Sequence, residues 1–382
     1  PASEREKEAQ RFTAEEAQVP FDLSNGPLLR TLLIKLSDRD HVLLVTMHHI
    51  VSDAWSMGLL THELTTLYEA HATGRPWRLP ELSIQYADFA HWQRQWLTGD
   101  VLAEQLAYWR KQLGGELPTL RLPAGAESGP ARGVWHNFAF SHAQAEALKS
   151  LSRSEGATLF MTLIAAFDVV LCCYMGQTDV IIGASVAART NAEVEPLIGF
   201  FVNPLVLRTD LSGDPDFSEL LGRVREVTLD AYTHQDVPFD KIVEDLRPDR
   251  AAANSPLFQV NFSLDNTRHE TIELPGLTFS PFHVGYESTR FSLIMALIDT
   301  DQGLSGSFQY DARLFDPETI ARLAEHYQLL LNHVVSQPET RLSELANMFA
   351  EADKQREEAR REEFKNARRR RLHDMKSKAA AQ

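Results

Sequence analysis

Cysteine is almost missing from this chain: two occur in 382 residues, the adjacent pair Cys172 and Cys173. Neighbouring cysteines rarely bridge each other, so the sequence carries no disulfide framework and a reducing cytoplasm is the expected compartment. Positive charge is also scarce. The net charge of −15 excludes general electrostatic binding to nucleic acid or to an anionic membrane. No apolar run is fit to span a bilayer, since the segment from Thr158 to Tyr174 carries Asp168 and reads as a buried helix. A secretory signal is lacking, for the chain opens Pro1-Ala2-Ser3-Glu4-Arg5-Glu6, polar and acidic. It also opens without methionine, as expected of an artificial boundary or of a segment cut from a longer polypeptide. No internal repeat is evident.

What is present is ordinary globular composition, 43% hydrophobic and 24% charged, over a length that suggests two or three structural units. Residues 1–20 are charged and helix-prone. Turn chemistry at Phe21 to Arg30 then leads into two strands, Leu32 to Leu36 and His41 to Met47, joined by Ser37-Asp38-Arg39-Asp40. Apolar spacing turns helical from Trp55 to about Ala72, and Gln85 to Gly114 reads as further helix rich in aromatic residues. The stretch from Pro118 to Gly133 is the expected linker. Beyond it helices and strands alternate, as an α/β unit requires: helix at Ser141–Glu155 and Thr158–Tyr174, then strands at Asp179–Ala184 and Val202–Leu207. A helix at Ser218–Tyr232 precedes strands at Phe258–Leu264, Phe291–Asp299 and Gly303–Tyr310, and a helix at Pro317–Ser336 follows. After Leu345 the chain is nearly all charge, acidic early and basic late, the polarity a solvated helix prefers.

Chemistry concentrates in Met47-His48-His49-Ile50-Val51-Ser52-Asp53-Ala54-Trp55-Ser56. A histidine pair at the end of an apolar strand can hold a neutral imidazole in a cleft, ready to accept a proton from an amine or hydroxyl. Core histidines would give the same pattern. A metal site through His49 and Asp53 lacks a second cluster of ligands.

Five ordered stretches together resemble the condensation domains of nonribosomal peptide synthetases. The His48–Asp53 run matches the family's His-His-x-x-x-Asp-Gly motif and departs from it at Ala54. Tyr86-Ala87-Asp88-Phe89-Ala90-His91-Trp92 is similar to the next signature. Ile198 to Arg208 resembles Ile-Gly-x-Phe-Val-Asn, with Pro204 where threonine is common. His234-Gln235-Asp236-Val237-Pro238-Phe239 fits His-Gln-Asp-x-Pro-Phe, and Arg247 to Phe258 resembles the last signature. Five motifs in order are far more specific than one.

The resemblance implies an α/β fold of two chloramphenicol acetyltransferase-like lobes in a V-shaped pseudo-dimer. The first lobe would be partial, residues 1–125, the second residues 126–345, and the charged helical tail residues 346–382. The family's opening signatures are missing, so roughly a hundred residues of the first lobe are expected to lie upstream. The implied reaction is amide formation, a carrier-bound acceptor amine attacking a carrier-bound donor thioester. Both substrates would arrive on 4′-phosphopantetheine arms through a tunnel between the lobes. The domain itself would bind no cofactor and no metal. Its partners would be upstream donor and downstream acceptor peptidyl carrier proteins and neighbouring synthetase domains, with no nucleic acid and no membrane.

Within that frame His49 is the expected base or amine-positioning group, and His48 packs inward to fix the loop. Asp53 is expected to hold loop geometry through an ion pair with Arg189, which costs about 3–5 kcal/mol when one buried partner is removed. Ala54, Trp55 and Ser56 complete the motif loop, Trp55 packing the helix start. If the backbone at Ala54 requires positive φ, its methyl group costs about 1 kcal/mol or more. Asn203, Gln235 and Gln259 are candidates for lining the tunnel. Two other readings stay open: a non-catalytic relative that docks a carrier protein or recruits a tailoring enzyme, and a freestanding acyltransferase using coenzyme A.

Overall fold

The computed structural model describes residues 2–118, 132–247, 257–265, 271–282 and 289–380. Helix α1 (Ala2–Gln18) leads to the antiparallel pair β1 (Leu29–Lys35) and β2 (His41–Met47), registered from Leu29 opposite Met47 to Lys35 opposite His41. One 3₁₀ turn, His49–Val51, separates β2 from α2 (Ala54–Thr73), which Gly74 closes in the left-handed conformation at φ 67°. The single helix expected over Gln85–Gly114 is two helices, α3 (Tyr86–Trp96) and α4 (Gly99–Gln112). Gly99 has φ 55°, which a continuous right-handed helix does not allow, and the chain bends there.

Strand β3 (Gly133–Ser141) follows the expected linker, most of which lies outside the described residues. This strand is not among those expected above, although Val134, Phe138 and Phe140 fall on one face of it at a spacing of two or four residues, a period-two signal. Then come α5 (His142–Ser154), α6 (Leu159–Met175), β4 (Asp179–Val186), β5 (Asn203–Asp210), α7 (Phe217–Thr233) and α8 (Phe239–Leu246). Strand β6 (Val260–Asp265), the short pair β7 (Ile272–Leu274) and β8 (Leu277–Phe279), β9 (Leu293–Thr300) and β10 (Gly303–Asp311) precede α9 (Pro317–Val334). The six-stranded sheet runs β3-β10-β9-β6-β4-β5, with β6 parallel to both neighbours and the remaining pairs antiparallel.

The main core lies on this sheet. Helix α6 is buried from Met161 to Leu171, and its Phe167 packs against Phe262, Phe308 and Tyr327. Asp168 sits inside that core, and burial holds its carboxyl well above the ordinary carboxylate range despite a hydrogen bond with Thr209. Helix α4 joins the same core through Leu106, Trp109 and Leu113. Around β1 and β2 the packing is thinner: Leu29, Leu33 and Leu43 are exposed.

The charged segment is helical, as its composition predicts, but it does not begin as a detached tail. Helix α10 (Leu342–Ala380) buries Leu342, Leu345 and Phe349 in the main core, and Phe349 stacks on His326 with ring centroids 4.5 Å apart. Among the described residues no single helix is long and apolar enough to cross a membrane; α5 and α6 approach that length together but meet at 99°.

Candidate active site

The loop after β2 is built by its own side chains. His48 Nδ1 accepts a hydrogen bond from the Ile50 amide at 3.0 Å, which caps the 3₁₀ turn. Its ring meets Phe21 edge-on at 5.8 Å, and the Arg30 guanidinium lies over the Phe21 ring at 3.9 Å. Arg30 in turn pairs with Glu16 and donates to the Val19 carbonyl at 2.9 Å. The His48 ring therefore braces the loop against α1 and the segment that follows it.

His49 is turned the other way and is exposed. Its Nδ1 lies 2.6 Å from the Ser52 carbonyl oxygen, which can only accept, so Nδ1 carries the hydrogen. In the neutral ring Nε2 then presents a lone pair, the form a general base needs. The ring also meets Phe200 at 5.0 Å and 80°.

Asp53 does a different job. It is the N-cap of α2, accepting from the Ser56 amide at 2.8 Å. Its other oxygen accepts from the Phe201 amide at 3.1 Å, and Arg189 Nη2 donates to both oxygens at 3.2 and 3.3 Å. The side chains of Arg189 and Asp53 are 2% and 3% exposed. Burial alone would raise the Asp53 carboxyl, but the Ser56 and Phe201 hydrogen bonds and the Arg189 charge outweigh it and hold the group below its ordinary value. With every oxygen engaged, Asp53 is a joint, not a base.

The joint extends through Ser56, whose Oγ lies 2.7 Å from Asp53 Oδ1 and 2.9 Å from the Gly199 carbonyl. The same oxygen accepts from the Gly199 amide and from Arg189 Nη2, each at 3.0 Å. Arg189 Nη1 donates to the Val194 and Leu197 carbonyls at 2.6 and 2.8 Å, and its guanidinium lies 4.0 Å from the Phe201 ring centre. Ala188, just before it, sits at φ 48°, a strained setting for a side-chain-bearing residue that turns Arg189 inward. Trp55 is 43% exposed and donates from Nε1 to the Glu195 carbonyl at 2.9 Å, so it bridges to the 189–201 loop as well as marking the helix start.

Ala54 needs no special backbone. It is the first residue of α2, exposed, and absent from the positive-φ positions of the described chain. The strain expected if φ were positive does not arise, because a helical residue accepts alanine at least as well as glycine. Asn203, Gln235 and Gln259, the candidates for lining a tunnel, have the following surroundings. Asn203 is buried, donating to the Gln235 and Val237 carbonyls at 2.8 and 2.7 Å and accepting from the Phe239 amide at 3.0 Å, so it ties β5 to the turn before α8. Gln235 donates to the Tyr232 carbonyl at 2.8 Å, finishing α7. Gln259 borders a small cavity with Leu171, Ile181 and Phe258, and that cavity does not include His49.

Four participants are invisible to single motifs. Tyr86 donates from its hydroxyl to the Phe200 carbonyl at 2.8 Å. A Cβ on Gly199 would come within 2.3 Å of the Tyr86 ring, so only glycine allows that approach. Phe201 is buried under Arg189, while Phe200 faces His49. All four lie within quoted signatures; what the sequence withheld was that the signatures meet.

Comparison with known proteins places this geometry. A family model described as the condensation domain matches residues 1–356. The chain is 47% identical over 342 residues to a linear gramicidin synthase of Brevibacillus parabrevis, covering 88% of this chain and 4% of that protein. It is 43% identical over 334 residues to malpinin synthetase of Mortierella alpina, covering 86% of this chain and 4% of that one. The chain thus spans a small fraction of the curated relatives it matches. Among solved structures it resembles the X-domain from teicoplanin biosynthesis, at 31% identity and TM-score 0.79 over 88% of this chain and 78% of that chain. That X-domain has also been solved in complex with OxyB, matching at TM-score 0.78. The condensation domain of the monacolin K polyketide synthase shares the fold at TM-score 0.74 and 23% identity, covering 87% of this chain and 79% of that one. With the family match over nearly its whole length and His49, Asp53 and Arg189 set as described, this chain belongs to the condensation domain family of nonribosomal peptide synthetases.

Proposed function

We propose that the chain catalyses amide formation between two carrier-bound substrates, with His49 as the working residue. The observation that carries this reading is the Ser52 carbonyl 2.6 Å from His49 Nδ1, which leaves Nε2 of this exposed residue to accept a proton. An acceptor amine attacks the donor thioester carbonyl, the new C–N bond forms, and the C–S bond breaks. His49 Nε2 accepts the proton that the amine sheds and can return one to the departing thiolate, so the ring ends as it began. One such group supplies about 10²–10⁴-fold, and orientation of the two tethered substrates supplies much of the rest. The substrates come on 4′-phosphopantetheine arms of an upstream donor and a downstream acceptor carrier protein, within a larger synthetase. His48 and the Asp53–Arg189 joint hold the frame.

A second reading has one observation in its favour: the related X-domain is solved with a second protein bound. The two part on one experiment. Donor and acceptor aminoacyl groups are loaded on separate carrier proteins, mixed with the native protein, and the acceptor carrier is followed by intact mass. The catalytic reading expects the acceptor to gain the donor's mass. No gain, together with carrier or enzyme binding, establishes the docking reading instead. Gain from a coenzyme A thioester but not from the carrier points to the freestanding acyltransferase.

A further inference from the structure

We infer that Phe200 is a positioning residue for His49, and that through it the Asp53–Arg189–Ser56 joint controls the orientation of the imidazole. This inference rests on the catalytic reading of His49 above.

The backbone around Phe200 is fixed on three sides. Gly199 is held at both its amide and its carbonyl by Ser56 Oγ, the Phe200 carbonyl accepts from the Tyr86 hydroxyl, and the Phe201 amide donates to Asp53. Phe201 is 5% exposed and anchored beneath Arg189, whereas Phe200 is 38% exposed and reaches the His49 ring. The two neighbouring rings face different partners, Phe201 lying under Arg189 while Phe200 meets the His49 ring, so anchoring Phe201 holds the backbone from which Phe200 reaches the loop. The contact is edge-to-face, at 80°, the arrangement that aromatic quadrupoles favour.

Two contacts then define the imidazole. The Ser52 carbonyl fixes which nitrogen carries hydrogen, and Phe200 limits rotation of the ring about that hydrogen bond. A ring held by the carbonyl alone can swing on an exposed loop and carry Nε2 away from the reacting amine. Displacement on the scale of ~1 Å costs up to ~10²-fold. Position 200 is also the free position of the Ile-Gly-x-Phe-Val-Asn signature, so the motif alone does not point to it.

The test compares Phe200→Ala, Phe200→Tyr, His49→Ala and the double variant Phe200→Ala/His49→Ala, each with carrier-loaded substrates. Phe200→Ala is expected to lower kcat roughly 10- to 100-fold with KM for both carriers unchanged. Phe200→Tyr, which keeps the ring, restores most of the rate. In the double variant, loss of Phe200 adds nothing to loss of His49, because its effect passes through that ring. A further drop in the double variant overturns the inference and makes Phe200 a substrate contact. A native kcat in Phe200→Ala also overturns it. Nitrogen-15 NMR of the His49 ring gives a readout that needs no substrate: the Nδ1–H tautomer set by Ser52 persists in both proteins, while ring relaxation shows a fixed imidazole in the native protein and a mobile one in Phe200→Ala. If His49→Ala keeps full activity while the NMR change occurs, it is the catalytic reading that fails, and the positioning contact stands.

Discussion

Asp53 and Asp168 show how one residue type is used in opposite ways. Asp53 is ionised, surrounded by donors and held below its ordinary value. Its contribution to stability is present above the ordinary carboxylate pKa and lost as the pH falls through the depressed folded value. Removing it leaves Arg189 buried and uncompensated, so Asp53→Ala is expected to cost about 3–5 kcal/mol in urea unfolding at about pH 7, shrinking toward zero in acid. Asp168 has the reverse sign, since burial raises it. Its contribution is present in full below the ordinary carboxylate pKa and is lost as the pH climbs through the raised folded value. Asp168→Asn therefore gains on the native protein as the pH goes from about 5 to about 8, read from urea midpoints, and a constant difference would refute the assignment. Ala54→Gly is a third single-residue case. With Ala54 helical and exposed, glycine there changes kcat by less than about a factor of two and lowers stability by up to ~1 kcal/mol. If glycine instead switched on an inactive protein, the docking reading of the native chain would hold.

Between elements, the decisive contact is the start of α2 against the 189–201 loop. The residues that make it are far apart along the chain: Asp53 with Phe201, Ser56 with Gly199, Trp55 with Glu195. Gly199→Ala places a Cβ 2.3 Å from the Tyr86 ring and must open this contact. The expected loss is about 1–3 kcal/mol with a fall in kcat, partly relieved when Tyr86 is also cut to alanine, as thermal unfolding and turnover of the double variant would show. Local patterns made the individual elements legible. The apolar run from Val42 to Val45, the helical spacing from Trp55 and the apolar run of α6 are local signals, and those elements lie where the spacing predicts. Asn203 and Gln235 are not legible in this way. The described partners of their side chains are backbone groups, of the 235–239 turn for Asn203 and of Tyr232 for Gln235, and nothing in residue type tells a tunnel amide from a turn amide. Phe200 was silent because its role depends on a ring about 150 residues away in the chain.

For the molecule as a whole, most of the stability resides in the six-stranded sheet and its helices, and the β1–β2 region adds much less buried apolar surface. Opening of β1 and β2 is therefore expected before the global transition, as faster hydrogen exchange at Leu33 and Leu43 than at Phe262 and Phe308. Among the described residues, helix α10 buries side chains only near its beginning, at Leu342, Leu345 and Phe349. Residues 357–362 are all exposed, and the ion pair of Arg360 with Glu318 is a surface contact. Ending the chain after Arg361 is expected to shift Tm by less than about 2 °C. The joint and the chemistry are thus separable: Asp53 and Arg189 bind two distant segments, while His49 stands exposed at their edge with its tautomer set by Ser52. The most direct measurement is the single-turnover rate of amide formation between loaded carriers, in native protein and His49→Ala, with Tm taken on the same samples. The account predicts a rate at least ~10²-fold lower in His49→Ala at unchanged Tm. A His49→Ala rate within about threefold of native, on a folded protein, would contradict it.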